Sequence, residues 1–178
     1  MHILFSLLYA PFVFISLQYF DLKIVSGVIF VISIIWFLVA FKNSLKKVLF
    51  PTFYVIVSLC AFLLDDFMLL KSLPLLISIL VSLYFFYSYF TKTSFILLIL
   101  EKFKKTVDTK EKVYIQNSTF FWAIVSLVNI SLHLFVLYND NITYWIIYTS
   151  VGWYFVFLGA FIIQMLHRQF YFKGVKNV

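Results

Sequence analysis

The sequence predicts an all-α fold: a polytopic membrane bundle of six transmembrane helices with cytoplasmic N- and C-termini. Of its 178 residues, 64% are apolar and only 12% are charged, whereas a soluble domain has about 25% charged residues. The apolar residues cluster in runs long enough to cross a bilayer. The basic residues collect in alternate connectors, as in multi-pass proteins. The length suits a single transmembrane domain over residues 1–178.

Six apolar segments have the approximate length of a membrane-spanning helix, which needs about 20 residues. None contains Asp, Glu, Lys or Arg, and none alternates with the two-residue period of a barrel strand. The first is expected to be a retained helix, because it lacks the flanking features of a cleaved signal peptide. The predicted spans are about 3–20, 24–41, 48–64, 72–90, 117–137 and 142–166.

Particular residues support the later spans. Pro51 and Pro74 are expected in the first turns of the third and fourth helices, where a missing N–H costs little. Ser78 and Ser82 would form a small-residue face on the fourth helix. The spacing of Gly152 and Gly159 predicts close helix packing along the sixth helix.

The connectors indicate orientation. With six spans, one side of the membrane holds twelve basic residues and the other only two, Lys23 and Lys71. Since Lys and Arg remain cytoplasmic, the richer side is predicted to be the cytoplasm. Its basic residues are Lys42, Lys46, Lys47, Lys92, Lys102, Lys104, Lys105, Lys110, Lys112, Arg168, Lys173 and Lys176.

The connector 91–116 is predicted to lie on the inner leaflet as an interfacial helix. An apolar first half precedes Lys102, Lys104 and Lys105, which would face anionic lipid head groups. The functional alternative, which is compatible with lipid contact, is that these lysines dock a cytoplasmic partner. Membrane lipids and a cytoplasmic biosynthetic or division protein are therefore the expected contacts.

The sequence carries no strong catalytic or cofactor motif, such as a phosphate-binding glycine loop or a metal-binding Cys or His pattern. The single cysteine, Cys60, excludes an intramolecular disulfide and is expected to pack as a core thiol. The net charge of +7 is explained by the cytoplasmic loops, so nucleic acid is not expected as a partner. No cofactor, catalytic residue or metal site is predicted.

Four residues on the fifth helix form a polar stripe. Trp122, Ser126, Asn129 and His133 are spaced four, three and four apart, which places them on one helical face. Their first interpretation is an interhelical hydrogen-bond ladder. The alternative is a small polar pocket in which His133 contacts a ligand or transfers protons.

A third hypothesis joins this histidine to acidic residues on the external side. Asp65, Asp66 and Asp140 are all predicted near the external end of the bundle, toward which His133 lies. A histidine with several carboxylates can bind a metal ion or activate water.

Several stretches resemble a family of small bacterial inner-membrane proteins encoded beside fatty-acid-like and aryl-polyene biosynthesis enzymes. Pro11 through Gln18 resembles the family's Pro, apolar residues and Leu-Gln, and Leu73 through Ser78 its Pro-containing span start. Leu98 through Phe103 is similar to its Ile-Glu-Arg-Leu segment, and the last helix has comparable aromatic positions. The Trp-x6-Asn pattern is matched by Trp122 and Asn129.

The layout also resembles the intracellular septation protein A family, which has a lysine-containing connector before a Trp-Ala span, here Trp122-Ala123. These resemblances imply a bacterial inner-membrane location and a role in cell-envelope growth, division or lipid-like product assembly. They supply no catalytic residue.

Three functions remain open. The first is a non-enzymatic membrane scaffold or accessory component in envelope or lipid-like product assembly. The second is a small-molecule transport component, since six helices in a chain this short resemble the substrate-binding subunits of energy-coupling vitamin transporters. The third is a membrane-embedded lipid-modifying enzyme that uses His133 and external aspartates.

Overall fold

The protein is all-helical over the residues described by the computed structural model, which are 2–43, 48–94, 97 and 109–176. The all-α prediction is confirmed for these residues. A π-helical segment, Tyr148–Gly152, joins the last two α-helices. The α-helices are α1 (His2–Tyr19), α2 (Leu22–Asn43), α3 (Leu49–Leu64), α4 (Phe67–Phe90), α5 (Thr109–Tyr138), α6 (Ile142–Ile147) and α7 (Trp153–Lys176).

Four helical stretches are long and apolar enough to cross a membrane: Leu22–Asn43, Phe67–Phe90, Thr109–Tyr138 and Ile142–Phe172. The apolar helix Leu49–Leu64 is shorter. Each of the six predicted segments is helical. Two helices begin five or more residues earlier than predicted, α4 at Phe67 and α5 at Thr109, so the last part of the connector 91–116 belongs to α5.

The chain forms two compact units, which we describe separately. Unit 1 consists of Met1–Ile77 and His133–Ser150, and unit 2 of Ser78–Leu132 and Val151–Val178. The core of unit 1 is built from α1, α2, α3, the start of α4, the end of α5 and α6. It comprises Tyr9, Ala10, Val13, Val25, Ile29, Tyr54, Val57, Ala61, Leu70, Leu73, Val136 and Trp145.

Aromatic rings order the centre of this core. The Tyr9 ring meets Tyr54 edge-on, with centroids 5.5 Å apart, and Trp36 packs against the same Tyr54 ring at 5.5 Å. Edge-on and tilted arrangements are the geometries that aromatic pairs prefer. The rings therefore connect α1, α2 and α3 within unit 1.

Pro74 lies in the interior of α4, so its predicted place in the first turn is wrong. The helix extends through the polar residues Lys71 and Ser72 to begin at Phe67, which the apolar run alone did not indicate. Proline has no N–H, so the carbonyl of Leu70, four residues earlier, lacks its helical donor. The Tyr9 hydroxyl donates to that carbonyl oxygen at 3.0 Å.

Lys71 connects α4 to the turn between α5 and α6. Its side chain is buried, and its Nζ donates to the carbonyl oxygen of Asn139 at 3.1 Å. The carbonyl oxygen of Lys71 accepts from the indole Nε1 of Trp145 at 3.0 Å. Asn141 caps α6 by accepting from the Thr143 N–H. These bonds anchor the turn to unit 1.

The glycine prediction fails at Gly159. A methyl group added there would meet no described atom within 4 Å apart from its own stretch of helix, so close packing against another helix is not the reason for this glycine. Gly152 lies in the π-helical segment, where the regular seven-residue register with Gly159 is interrupted. The two glycines therefore do not form the continuous packing face that their spacing predicted.

Candidate functional site

Two members of the predicted stripe bond to α4 within unit 2. Asn129 Nδ2 donates to Ser78 Oγ at 2.7 Å, and the hydroxyl oxygens of Ser126 and Ser82 lie 2.9 Å apart. All four side chains are buried. Hydrogen bonds between small polar residues on adjacent helices are a common means of helix association in membranes. The serine face of α4 and the stripe on α5 thus form an interhelical ladder.

Trp122 contributes a ring rather than a hydrogen bond. Its indole stacks on Phe85, with centroids 6.4 Å apart, and on Phe157 at 6.2 Å. The Nε1 atom is buried and has no hydrogen-bond partner within the described ranges. Trp122 is therefore the middle ring of an aromatic stack of α4, α5 and α7.

His133 belongs to unit 1, unlike the other three stripe residues. Its side chain is only 5% exposed, and its ring meets Tyr148 edge-on with centroids 4.9 Å apart. Asp65 pairs with Lys23 at 3.7 Å, and Asp66 accepts from the Met68 N–H. Among the described residues, no group of three His, Cys, Asp or Glu is placed to hold a metal ion.

Lys102, Lys104 and Lys105 lie outside the described residues. The parts of the connector that are described bond to α5 in unit 2. Ser94 N donates to Gln116 Oε1 at 3.1 Å, and Thr119 Oγ1 donates to Ser94 Oγ at 2.9 Å. These bonds fix the chain just after α4 against the first turns of α5.

A groove between α5 and α7 is a site that sequence reasoning missed. Its volume is about 420 Å³, and it lies within unit 2. This is within the range of about 300–1,000 Å³ for small-molecule sites. We call it the α5/α7 groove; its lining residues are Tyr114, Asn117, Ser118, Phe121, Ile163, Gln164, His167 and Tyr171.

Three polar contacts hold the two helices together along the groove. Tyr114 Oη lies 3.0 Å from His167 Nδ1, with the two rings stacked, and Gln164 Nε2 donates to Ser118 Oγ at 2.9 Å. Arg168 pairs with Glu111 beside them. Tyr114 is buried, whereas His167 is exposed at the groove. The groove is thus lined on one side by polar side chains of α5 and α7 that bond to each other, and the imidazole of His167 lies at its surface.

The helical spacing of these residues is visible in the sequence, although their pairing is not. Glu111, Tyr114 and Ser118 share one face of α5, and Gln164, His167 and Tyr171 share one face of α7. The sequence alone did not indicate a site here, because nothing in it shows that these two faces meet.

Comparison with protein-family models, with curated proteins and with solved structures found no match for this chain.

Proposed function

We propose that the protein is a multi-pass bacterial inner-membrane protein that acts as a non-enzymatic scaffold or accessory component in cell-envelope or lipid-like product assembly. The observation that carries this proposal is the ladder between α4 and α5. Ser78 and Ser82 bond to Asn129 and Ser126, so the best polar stripe in the sequence is used for helix association. Side chains committed to structural bonds are poorly placed to act on a substrate.

The surface of the helices supports membrane embedding. Large apolar side chains such as Ile35, Leu63 and Phe155 are more than half exposed. Only 28% of the 18-residue apolar stretch of α2 is buried. In water, a fully exposed side chain of this kind forgoes about 1.5–3 kcal/mol of burial free energy, and a side chain that is more than half exposed forgoes a corresponding fraction. A lipid environment removes that cost, because its hydrocarbon is as apolar as the side chains.

We further propose six spans with both termini in the cytoplasm, on the twelve-to-two distribution of basic residues. Cys60→Ser gives a cysteine-free chain in which single cysteines can be placed. In intact cells, a membrane-impermeant thiol reagent should label Asp140→Cys and leave Lys42→Cys and Lys110→Cys unlabelled until the membrane is opened. Labelling of Lys110→Cys in intact cells would refute this orientation.

The scaffold proposal is tested by brief cross-linking of the tagged protein in its own membranes, followed by purification and mass spectrometry. Enrichment of acyl-carrier, acyltransferase or division proteins is expected. Recovery of the tagged protein alone, at the level of a mock purification, would count against a scaffold.

The docking surface has a matched control. Replacing Lys102, Lys104 and Lys105 by Glu should abolish partner recovery. The same three-charge reversal at Lys42, Lys46 and Lys47 changes another predicted cytoplasmic loop equally and should leave partner recovery intact. Normal recovery with the first variant would eliminate docking through the connector.

A small-molecule transport component is the second candidate, favoured by the α5/α7 groove. Its volume of about 420 Å³ is sufficient for a small ligand. A water-soluble molecule that copurifies with the protein, and is lost when the groove is filled by Asn117→Trp, would favour this candidate over the scaffold.

A further inference from the structure

We infer that the α5/α7 groove binds one molecule of an anionic phospholipid, with the phosphate at its polar end and an acyl chain at its apolar end. The inference rests on the proposed membrane location, and it adds a ligand site that this location does not itself require. It concerns different residues from the connector lysines, which lie outside the described part of the chain.

The polarity of the groove changes along its length. On α5, the lining passes from Tyr114 through Asn117 and Ser118 to Phe121, and on α7 from His167 through Gln164 to Ile163. The charged residues of α5 are confined to its first turn, ahead of the polar part of the groove. The polarity of the groove therefore changes in the same order as that of a phospholipid at a membrane surface, from polar head group to apolar chain.

The polar end offers donors for a phosphate. The Tyr114 hydroxyl has one proton, and its 3.0 Å distance to His167 Nδ1 is shorter than its 3.4 Å distance to the Gln164 carbonyl oxygen. In the tautomer in which that proton lies on the bond with Nδ1, the ring proton of His167 is on Nε2. The imidazole then presents an N–H at the groove. The exposed side-chain amide of Asn117 forms no hydrogen bond with any described residue and is a second donor.

Cations flank the same end. Lys110 is four residues before Tyr114, so both lie on the groove face of α5, whereas Lys112 lies on the opposite face. Arg168 follows the groove residue His167 on α7 and is paired with Glu111. Since Lys110 has no ion-pair partner among the described residues, the groove mouth retains an excess positive charge. Basic pockets between transmembrane helices on the cytoplasmic side are known to bind anionic lipid head groups.

The test is native mass spectrometry of the detergent-purified full chain, titrated with phosphatidylglycerol or with phosphatidylcholine, and with inorganic phosphate added to the phosphatidylglycerol complex as a competitor. Saturable binding of one phosphatidylglycerol, with weaker binding of phosphatidylcholine and no competition by inorganic phosphate, is expected. Equal binding of the two lipids would overturn headgroup recognition. Displacement of phosphatidylglycerol by inorganic phosphate would assign the site to a soluble anion instead.

Two pairs of exposed variants locate the site. Lys110→Glu should weaken phosphatidylglycerol binding by at least about fivefold, the ratio that corresponds to about 1 kcal/mol per basic residue near an anionic surface. Lys112→Glu makes the same charge change on the opposite face and should leave binding unchanged. Asn117→Trp fills the groove and should abolish binding, whereas Val113→Trp, exposed off the groove face, should not.

Equal weakening by Lys110→Glu and Lys112→Glu would reduce the effect to general surface charge and refute the site. Neither result depends on the scaffold proposal, which is judged by partner recovery from cross-linked membranes. If the protein recovers its partners but binds both lipids equally, the proposed scaffold function stands and the proposed phospholipid site is refuted.

Discussion

The Tyr9 hydroxyl donates to the main-chain carbonyl oxygen of Leu70 at 3.0 Å, across 61 positions of the chain. Leu70 is the residue whose helical donor is missing because Pro74 has no N–H. The carbonyl is fully buried and would otherwise have no donor from its own helix. A tyrosine on α1 therefore compensates for a proline in α4, and the two positions should be energetically coupled.

Tyr9→Phe should lower the free energy of unfolding by about 1–3 kcal/mol, because it leaves a buried carbonyl unsatisfied. In a Pro74→Ala background the cost should be smaller, since the alanine N–H can bond to the Leu70 carbonyl. Chemical unfolding of the four proteins in detergent measures the coupling directly. Tyr19→Phe is the control, because Tyr19 is exposed. The same cost in both backgrounds would mean that Tyr9 does not replace the missing donor.

The positions of the helices could be predicted from the sequence because each long apolar run is helical. Their starts could not. The apolar run begins after Lys71, but α4 begins at Phe67, and α5 includes the charged residues Lys110, Glu111 and Lys112. Hydropathy reports which residues prefer lipid, whereas a helix continues into polar sequence as long as its backbone bonds are satisfied. The early start of α4 placed Pro74 in the helix interior.

Trp145 and Trp122 should respond differently to replacement by phenylalanine. Trp145 is 1% exposed and bonds to the Lys71 carbonyl, so Trp145→Phe should cost about 1–3 kcal/mol through the lost bond and the void left behind. Trp122→Phe keeps a ring in the stack and removes an indole N–H without a partner among the described residues, so its cost should be below about 1 kcal/mol.

Thermal unfolding in one detergent, followed by circular dichroism, compares these two variants. Both substitutions remove the same atoms, but Trp145 is buried and hydrogen-bonded whereas Trp122 is half-buried and its indole N–H has no partner among the described residues, so both the lost bond and the void should make Trp145→Phe the more costly change. A larger loss of stability for Trp122→Phe than for Trp145→Phe would show that the Trp122 indole N–H bonds to a polar partner.

The hydrogen bonds of the ladder between α4 and α5 should appear as energetic coupling between the bonded residues. A double-mutant cycle of Asn129→Leu and Ser78→Ala should give a coupling of about 0.6 kcal/mol and at most about 1.7 kcal/mol, the mean and the maximum measured for hydrogen bonds between membrane helices. Ser131 is the control, because its hydroxyl bonds to the Leu127 carbonyl of its own helix. A cycle of Ser131→Ala with Ser78→Ala should give no coupling. Coupling in both cycles would indicate a general effect of Ser78→Ala on packing.

The stripe could be predicted as a polar face of one helix. The residues that it contacts, and its division between the two compact units, could not be predicted. Spacing places Trp122, Ser126, Asn129 and His133 on one face, and it says nothing about which helix each meets. In the structure, two residues bond to serines of α4, one stacks between phenylalanines, and His133 belongs to the other unit. The α5/α7 groove was missed for the same reason, since it requires the pairing of two distant helices.

His133→Phe distinguishes the scaffold from an enzyme. The histidine is buried and packs edge-on against Tyr148, an arrangement that a phenylalanine ring can reproduce. If His133 were a general acid or base, its loss would reduce activity by about 10²–10⁴-fold. We expect His133→Phe to recover the same cross-linked partners as the wild type and to complement a deletion of the gene.

Tyr148→Ala, which removes the ring against which His133 packs, should lower thermal stability more than His133→Phe does. Failure of His133→Phe to complement, with normal stability and normal membrane level, would favour the enzyme and return attention to the external aspartates.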